Sequence, residues 1–350
     1  MRRIPVGILG ATGAVGQRFV QLLADHPWFE IAELAASDRS AGKAYREACT
    51  WRLATAPPDR VAGMVVKSCD ARFEAPLLFS GLDSSVAGDV EAELAGRGHA
   101  VVSNARNHRM DPDVPLLIPE VNPDHLAALD VQRRRTGRGY IVTNPNCSVV
   151  GLAMALAPLH RRFGVESVAV VTLQALSGAG YPGVASLDVA DNVLPYIGGG
   201  EEEKIEAEPR RILGAFRDGA FEPAPMAISA SVHRVQVSDG HTMACFVRTR
   251  EKAGAAAARE ALAEFRGEPQ DRELPTAPRH PIHVLDGADR PQPRLDRDRE
   301  RGMAVSVGRV REDPVLGGLK LEALVHNTIR GAAGAAVLNA ELLQSRGLLP

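Results

Sequence analysis

A cysteine becomes a nucleophile when its thiolate is stabilised, and the start of a helix does this with its positive dipole end. In NPNCS, residues 144–148, Cys147 follows a strand-like run and opens a helix-like one. Of the four cysteines, it alone has a physical case for nucleophilic chemistry, with a lowered pKa expected there. Cys49 lies in a mixed segment, Cys69 near a turn and Cys245 inside a strand-like run, where packed thiols are the expectation. Such a nucleophile needs a base. Among ten histidines, the segment VHRVQVSDGHT (232–242) offers His233 and His241, with Arg234 beside the first. Strand alternation points Arg234 and Gln236 to one face, and the Asp239-Gly240 turn brings His241 back on an adjacent strand. A histidine is as often a structural residue, and spacing does not show which one reaches Cys147.

A second chemistry sits at the N-terminus. Gly10, Gly13 and Gly16 form G-x-x-G-x-x-G directly after an apolar strand and at the start of a helix. Glycines there permit a tight turn and let backbone amides approach a pyrophosphate at the helix end. Gly10, Thr12, Gly13, Ala14, Val15 and Gly16 are therefore the candidate dinucleotide contacts. No Lys-Ser/Thr follows the last glycine, which disfavours a P-loop. The end of the second strand reads ASDRSAGK, where Ser37, Arg39 and Ser40 suit a ribose 2′-phosphate and Asp38 is the counter-signal. NADP is the preferred cofactor.

These groups need a scaffold. Runs at 4–9, 31–37, 75–85, 99–104 and 140–146 read as strands alternating with helices, which predicts parallel βαβ units. Beyond Cys147, a helix over 148–164 is expected to kink or end its first part at Pro158. Strand-like runs at 165–178, 226–237, 241–249 and 303–310, with a helix at 253–266, predict a mixed sheet with helices on one face. The charged, proline-rich stretch 286–301 reads as a solvated loop, and 327–349 as a final helix. The expected fold is α/β: a parallel-sheet Rossmann-type domain followed, from Cys147, by an α+β domain with a mixed sheet.

At 350 residues and a net charge of −2, the chain has length for two domains and no global field for nucleic acid or an anionic membrane. Aromatic residues, at 4%, are too few for a base-stacking surface. No apolar run approaches the roughly 18 residues of a membrane span. The start MRRIPVGILG lacks the apolar region of a secretory signal, and the cysteines form no CxxC or metal-ligand spacing. A cytoplasmic protein with reduced thiols and no metal is expected.

Taken together, the motifs resemble the aspartate-β-semialdehyde dehydrogenase family, in its archaeal and fungal-type branch. The landmarks are GILGATGAVGQRF (7–19), SNARNHRM (103–110), LLIPEVN (116–122), TNPNCSVVGL (143–152), LQALSGAGYPG (173–183) and PYIGGGEEEKIEAEPRRILG (195–214). VHRVQVSDGHT, DRPQPRLDRD (289–298) and HNTIRGAAGAAVLNAELL (326–343) complete them in family order. The resemblance implies Cys147 as acyl-accepting nucleophile, His241 as general acid/base and Gln174 as an orienting group. It implies Arg234 as a clamp on the substrate α-carboxylate, Glu201 as the ammonium partner, and Lys204 and Arg109 at the phosphate site, with Arg106 and Asn107 as accessories. Ser177, Gly178 and Asn327 join the cofactor contacts, Asn327 at the nicotinamide amide. The triple glutamate 201–203 leaves the choice of carboxylate to register, and on residues alone the preferred readings are a solvated charge run for 201–204 and a surface cation for Arg109.

The implied reaction is the NADPH-dependent conversion of L-4-aspartyl phosphate into L-aspartate 4-semialdehyde and phosphate through a cysteine thioester, by a homodimer or homotetramer in which a Rossmann-type domain (1–146 plus 327–350) carries an inserted α+β catalytic and oligomerisation domain (147–326). Malonyl-CoA reductase is the nearest alternative. N-acetylglutamyl-phosphate reductase usually carries a His-Pro-Gly-Cys motif instead of NPNCS. A non-catalytic NADP-binding regulator need not keep Cys147, Gln174, Arg234 and His241 together.

Overall fold

Short apolar runs build a six-stranded sheet in the computed structural model, which describes residues 3–350. The strands are β1 (Ile4–Leu9), β2 (Phe29–Ala36), β3 (Lys67–Ser68), β4 (Leu77–Ser80), β5 (Ala100–Ser103) and β6 (Tyr140–Thr143). All pair in parallel, in the order β3-β2-β1-β4-β5-β6. β4, β5 and β6 are buried at every residue, which is why they read as continuous apolar runs rather than alternating ones. The order reverses between β1 and β4, opening a crevice at the strands' carboxyl ends. Helix α1 (Ala14–Leu23) starts at that crevice; α2 (Ser84–Gly96) starts after β4, where the Asp83 carboxylate accepts from Ser85 N–H.

The second sheet is mixed and seven-stranded. Its strands are β7 (Val165–Gln174), β8 (Leu194–Pro195), β11 (Ala227–Arg234), β12 (His241–Thr249), β13 (Ile282–Leu285), β14 (Val305–Asp313) and β15 (Gly318–Val325); β9 (Ala215–Arg217) and β10 (Ala220–Glu222) form a separate hairpin. Helices α3 (Cys147–Phe163), α4 (Glu201–Ile212) and α5 (Ala255–Ala263) add to one core with the inward residues Val168, Val170, Met243, Cys245 and Leu321. Cys245 is thus a core thiol. The opposite face of β7 shows Val171 and Leu173 to the surface, 36% and 41% exposed.

Several expectations are corrected by packing. α3 neither ends nor divides at Pro158, because nearly the whole helix is buried and its contacts outweigh the one missing N–H donor. β11 and β12 are not a hairpin: β7 lies between them, parallel to β11 and antiparallel to β12. The chain crosses over the end of β7 through residues 235–240, pinned by Val235 N–H to Gln174 O and Leu176 N–H to Val237 O. Gln236 is therefore an exposed crossover residue rather than a strand partner of Arg234. The stretch 286–301 is ordered against the protein: Asp296 is buried and accepts from Arg290 and Arg299, while Arg297 Nη1 donates to Asp239 O at 3.0 Å. After β15, a π-helical turn (Ile329–Ala333) leads into α6 (Gly334–Ser345), whose Val337, Leu338 and Leu342 join the core of the first sheet.

Candidate active site

Cys147 begins α3 because Asn146 caps it, the Asn146 Oδ1 accepting from Ser148 N–H at 2.9 Å. Behind the cysteine the π-helical turn comes close, and a Cβ on Gly331 would stand 2.8 Å from Cys147 Cβ. In front, His241 Nε2 lies 3.2 Å from Cys147 Sγ. The other ring nitrogen, Nδ1, accepts from Ala175 N–H at 3.0 Å. Thus the three strand ends β7, β11 and β12 deliver Gln174, Arg234 and His241 to the N-terminus of α3.

Charged groups complete the cluster. Arg234 is buried and donates from Nη1 to Ala175 O at 2.7 Å. Glu201 Oε1 accepts from Gln174 Nε2 at 3.1 Å and from Asn146 Nδ2 at 2.9 Å, and its Oε2 lies 3.3 Å from Lys204 Nζ. The register question is thereby answered: Glu201 faces the cysteine, Glu202 accepts from Val232 N–H at 3.1 Å, and Glu203 is exposed. Arg109 is no surface cation. It is buried, with Nη1 2.9 Å from Glu208 Oε1 and Nη2 donating to Asn104 O at 2.9 Å. Glu208 Oε2 also accepts from Asn146 N–H at 2.7 Å, so one buried carboxylate joins Arg109 to the cap of the cysteine helix. Both Arg109 Nε and Arg234 Nε are buried without a hydrogen-bond partner among the described residues. Such orphaned donors cost about 1–3 kcal/mol each and suit a site that receives anionic ligands.

The expected lowering of the cysteine pKa is overturned. Enclosure of the thiol, reinforced by the Glu201 charge, pushes Cys147 up to about 12 despite opposition from Arg109, Arg234 and Ser148 N–H. A helix terminus supplies only about half a unit charge, less than burial and a full carboxylate take away. His241 moves the other way, down to about 3, through burial first and then the neighbouring Arg234 and His326.

The cofactor side has its own geometry. Gly10 has φ +72°, and a Cβ on Gly16 would stand 2.1 Å from Gly10 O, so α1 meets β1 closely only with glycine there. Gly13 and Ala14 are exposed, Thr12 and Val15 half-buried, leaving the loop open to a ligand. At the end of β2, Ser37 and Arg39 are exposed and Ser40 is half-buried in a turn closed by Ser40 N–H to Ser37 O. Lys43 Nζ donates to Arg39 O at 2.7 Å, adding a second cation. The buried Asn327 is already engaged, its Oδ1 accepting from Gly240 N–H and its Nδ2 donating to Ser177 Oγ, both at 2.8 Å. It therefore ties the crossover to the Ser177 turn. Arg106 and Asn107 also hold segments in place, donating to Gly199 O at 3.0 Å and Ser84 O at 2.9 Å.

Residues 5–129 match the family described as semialdehyde dehydrogenase, NAD binding domain, and residues 156–330 match semialdehyde dehydrogenase, dimerisation domain. The aspartate-semialdehyde dehydrogenase of Methanothermobacter thermautotrophicus is 50% identical over 97% of this chain and 99% of its own. The chain belongs to the aspartate-semialdehyde dehydrogenase family. Its archaeal and fungal resemblance holds: the Schizosaccharomyces pombe family member is 48% identical, covering 98% of this chain and 99% of its own. The crystal structure of the Candida albicans aspartate semialdehyde dehydrogenase with NADP superposes with a TM-score of 0.92 at 42% identity, covering 99% of this chain and 100% of that one.

For this family member, sequence reasoning missed Asn146, Ala175, Glu208 and Gly331. A signal for Glu208 was present, since Glu201, Lys204 and Glu208 at i, i+3 and i+7 share one helical face. Gly178 is packed against the cluster: a Cβ there would lie 2.9 Å from Arg234 Nη1 and 3.0 Å from His241 Cε1. Gly178→Ala is therefore expected to displace both side chains and lower kcat/KM by about 10²-fold with an unchanged melting temperature. Wild-type kinetics in that variant would show that the two side chains yield freely.

Proposed function

We infer that the protein catalyses the reversible NADPH-dependent conversion of L-4-aspartyl phosphate into L-aspartate 4-semialdehyde and phosphate, with Cys147 as the acyl carrier. The observation that carries this is the Cys147–His241 contact of 3.2 Å, set among Arg234, Glu201 and Arg109. A nucleophile ringed by two arginines and a carboxylate matches a substrate bearing a carboxylate, a phosphate and an ammonium group.

Arg234 would hold the α-carboxylate, Glu201 the ammonium, and Arg109 with Lys204 the phosphate. Gln174, already donating to Glu201, would orient the acyl group. An ammonium on Glu201 also cancels the charge that helps hold the thiol neutral, so substrate binding itself favours the thiolate. The sulfur attacks the acyl carbon, the bond to phosphate breaks, and a thioester on Cys147 results. His241, 3.2 Å from the thiol, would shuttle the proton as general acid/base, and the amides at the start of α3 would face the oxygen that gathers charge. Cleavage of the carbon–sulfur bond after reduction releases the aldehyde.

The glycine loop, with Gly10, Thr12, Gly13, Ala14, Val15 and Gly16, fits NADP, and Ser37, Arg39 and Ser40 would meet the 2′-phosphate. Bound there, NADPH supplies the hydride. Ser177, Gly178 and Asn327 would border the nicotinamide. Arg39→Ala is expected to raise the NADPH KM about tenfold and leave the NADH KM nearly unchanged. Equal changes for the two cofactors would remove the 2′-phosphate role.

The division into 1–146 plus 327–350 and 147–326 follows this allocation of cofactor and substrate chemistry. Self-association accords with the family's dimerisation domain. We place the interface of a homodimer or homotetramer on the outer face of the seven-stranded sheet, where Val171 and Leu173 are exposed. No helix among the described residues is long and apolar enough to cross a membrane. The four free thiols accord with a reducing, cytoplasmic setting. The test is an assay of the purified protein with NADP, phosphate and aspartate semialdehyde beside malonyl-CoA with NADPH. Phosphate-dependent NADPH formation is expected; activity confined to malonyl-CoA would replace this reading.

A further inference from the structure

Glu208 meets none of the substrate groups assigned above, yet it is buried and both its oxygens are committed. Oε1 lies 2.9 Å from Arg109 Nη1, and Oε2 accepts from Asn146 N–H at 2.7 Å, partners 99 and 62 residues away in the chain. Each partner is a working part of the site. Asn146 caps α3, its Oδ1 accepting from Ser148 N–H and its Nδ2 donating to Glu201 Oε1, both at 2.9 Å, so its peptide fixes where Cys147 begins the helix. Arg109 is held on a second side by Asn104 O at 2.9 Å, while its Nε has no partner among the described residues. A buried guanidinium needs a counter-charge, which any carboxylate beside it would supply. That need alone does not account for the second oxygen of Glu208 gripping the peptide before the nucleophile. Nor does phosphate attraction, since a carboxylate on Arg109 cancels part of it. What the bridge does supply is distance: it ties the guanidinium to the start of the cysteine helix.

We propose that Glu208 is a positioning residue for the phosphate step, setting Arg109 at a fixed distance from Cys147 by bonding at once to the guanidinium and to the peptide of the helix cap. The proposal rests on the acyl-phosphate reaction above. In the oxidative direction that reaction has two parts. The thiol adds to the aldehyde, and the thiohemiacetal gives a hydride to NADP and a proton to solvent, leaving the thioester on Cys147. An oxygen of hydrogen phosphate then bonds to the acyl carbon, the C–S bond breaks, and the phosphate proton passes to the departing sulfur. Only the second part needs Arg109 in register with the acyl carbon. An error of about 1 Å in such a placement costs on the order of 10²-fold in rate. Along one face of α4, Glu201 and Lys204 thus meet the substrate, and Glu208 sets the frame behind them.

The experiment separates the two parts in Glu208→Gln, whose amide keeps an oxygen for Asn146 N–H but gives Arg109 no second acceptor and no charge. Rapid mixing with aspartate semialdehyde and NADP, without phosphate, reports thioester formation as a burst of NADPH. The burst rate is expected to stay within about twofold of wild type, while kcat/KM for phosphate falls about 10²-fold. A phosphate kcat/KM within about twofold of wild type overturns the proposal. So does a burst that falls in parallel with it, which would make Glu208 a support for the whole site. Should Glu208→Gln not fold, Glu208→Asp decides. It keeps the charge but is one methylene too short to reach both partners, so a loss of about tenfold confined to the phosphate step is expected; wild-type phosphate kinetics in that variant overturn the proposal. A wild-type protein without phosphate-dependent NADPH formation overturns the functional reading itself, an outcome that does not involve Glu208.

Discussion

Cys147→Ala is expected to abolish phosphate-dependent turnover, with kcat falling by at least about 10⁴-fold. No other thiol can substitute. Cys245 is sealed in the core, and Cys49 and Cys69, both raised by burial, hydrogen-bond toward Thr12 O and Ala36 O on the cofactor side. The change removes one sulfur and leaves the Asn146 cap, the Glu201 and Glu208 contacts and the glycine loop in place, because none depends on the thiol. NADPH binding measured by fluorescence titration is therefore expected to stay within about twofold. Turnover near wild type would refute the acyl-carrier role. Loss of both turnover and NADPH binding would point to a damaged fold.

Arg234→Leu is expected to act chiefly on substrate affinity. It removes a buried guanidinium with an unpaired Nε and leaves Ala175 O without its 2.7 Å donor. Losing a buried carboxylate clamp costs roughly 2–4 kcal/mol, a rise of about 30- to 10³-fold in the KM for aspartate semialdehyde. Phosphate and NADP KM values are expected to move far less. Arg234→Lys keeps the charge but not the planar fork, so an intermediate loss is expected. An unchanged aldehyde KM in Arg234→Leu would exclude the carboxylate role and leave Arg234 as support for the Ala175 turn.

Local patterns carried much of this protein into view. Continuous apolar runs mark β4 to β6 because these strands are covered on both faces. The glycine spacing is legible because only residues without a Cβ allow α1 to approach Gly10 O. Cys147 is legible at a helix start because a strand-like run gives way there to a helix-like one, although the Asn146 cap itself went unread. β13 and β15 escaped notice, as did the order of the segment 286–301, whose charge hides a buried Asp296 paired with Arg290 and Arg299. Composition describes solvation on average and is blind to a carboxylate neutralised by distant arginines.

The βαβ scaffold, the cofactor loop and the placing of one thiol at a helix start are all properties of neighbouring residues, and so could be read along the chain. Long-range packing sets β7 between β11 and β12, turns Glu201 rather than Glu202 or Glu203 toward Cys147, and seats Glu208 against Arg109. It also decided the protonation of the pair, raising the thiol and keeping His241 neutral. Those outcomes depend on burial and on charges brought together from segments far apart in the chain. Such energies act through space, and no local spacing encodes them.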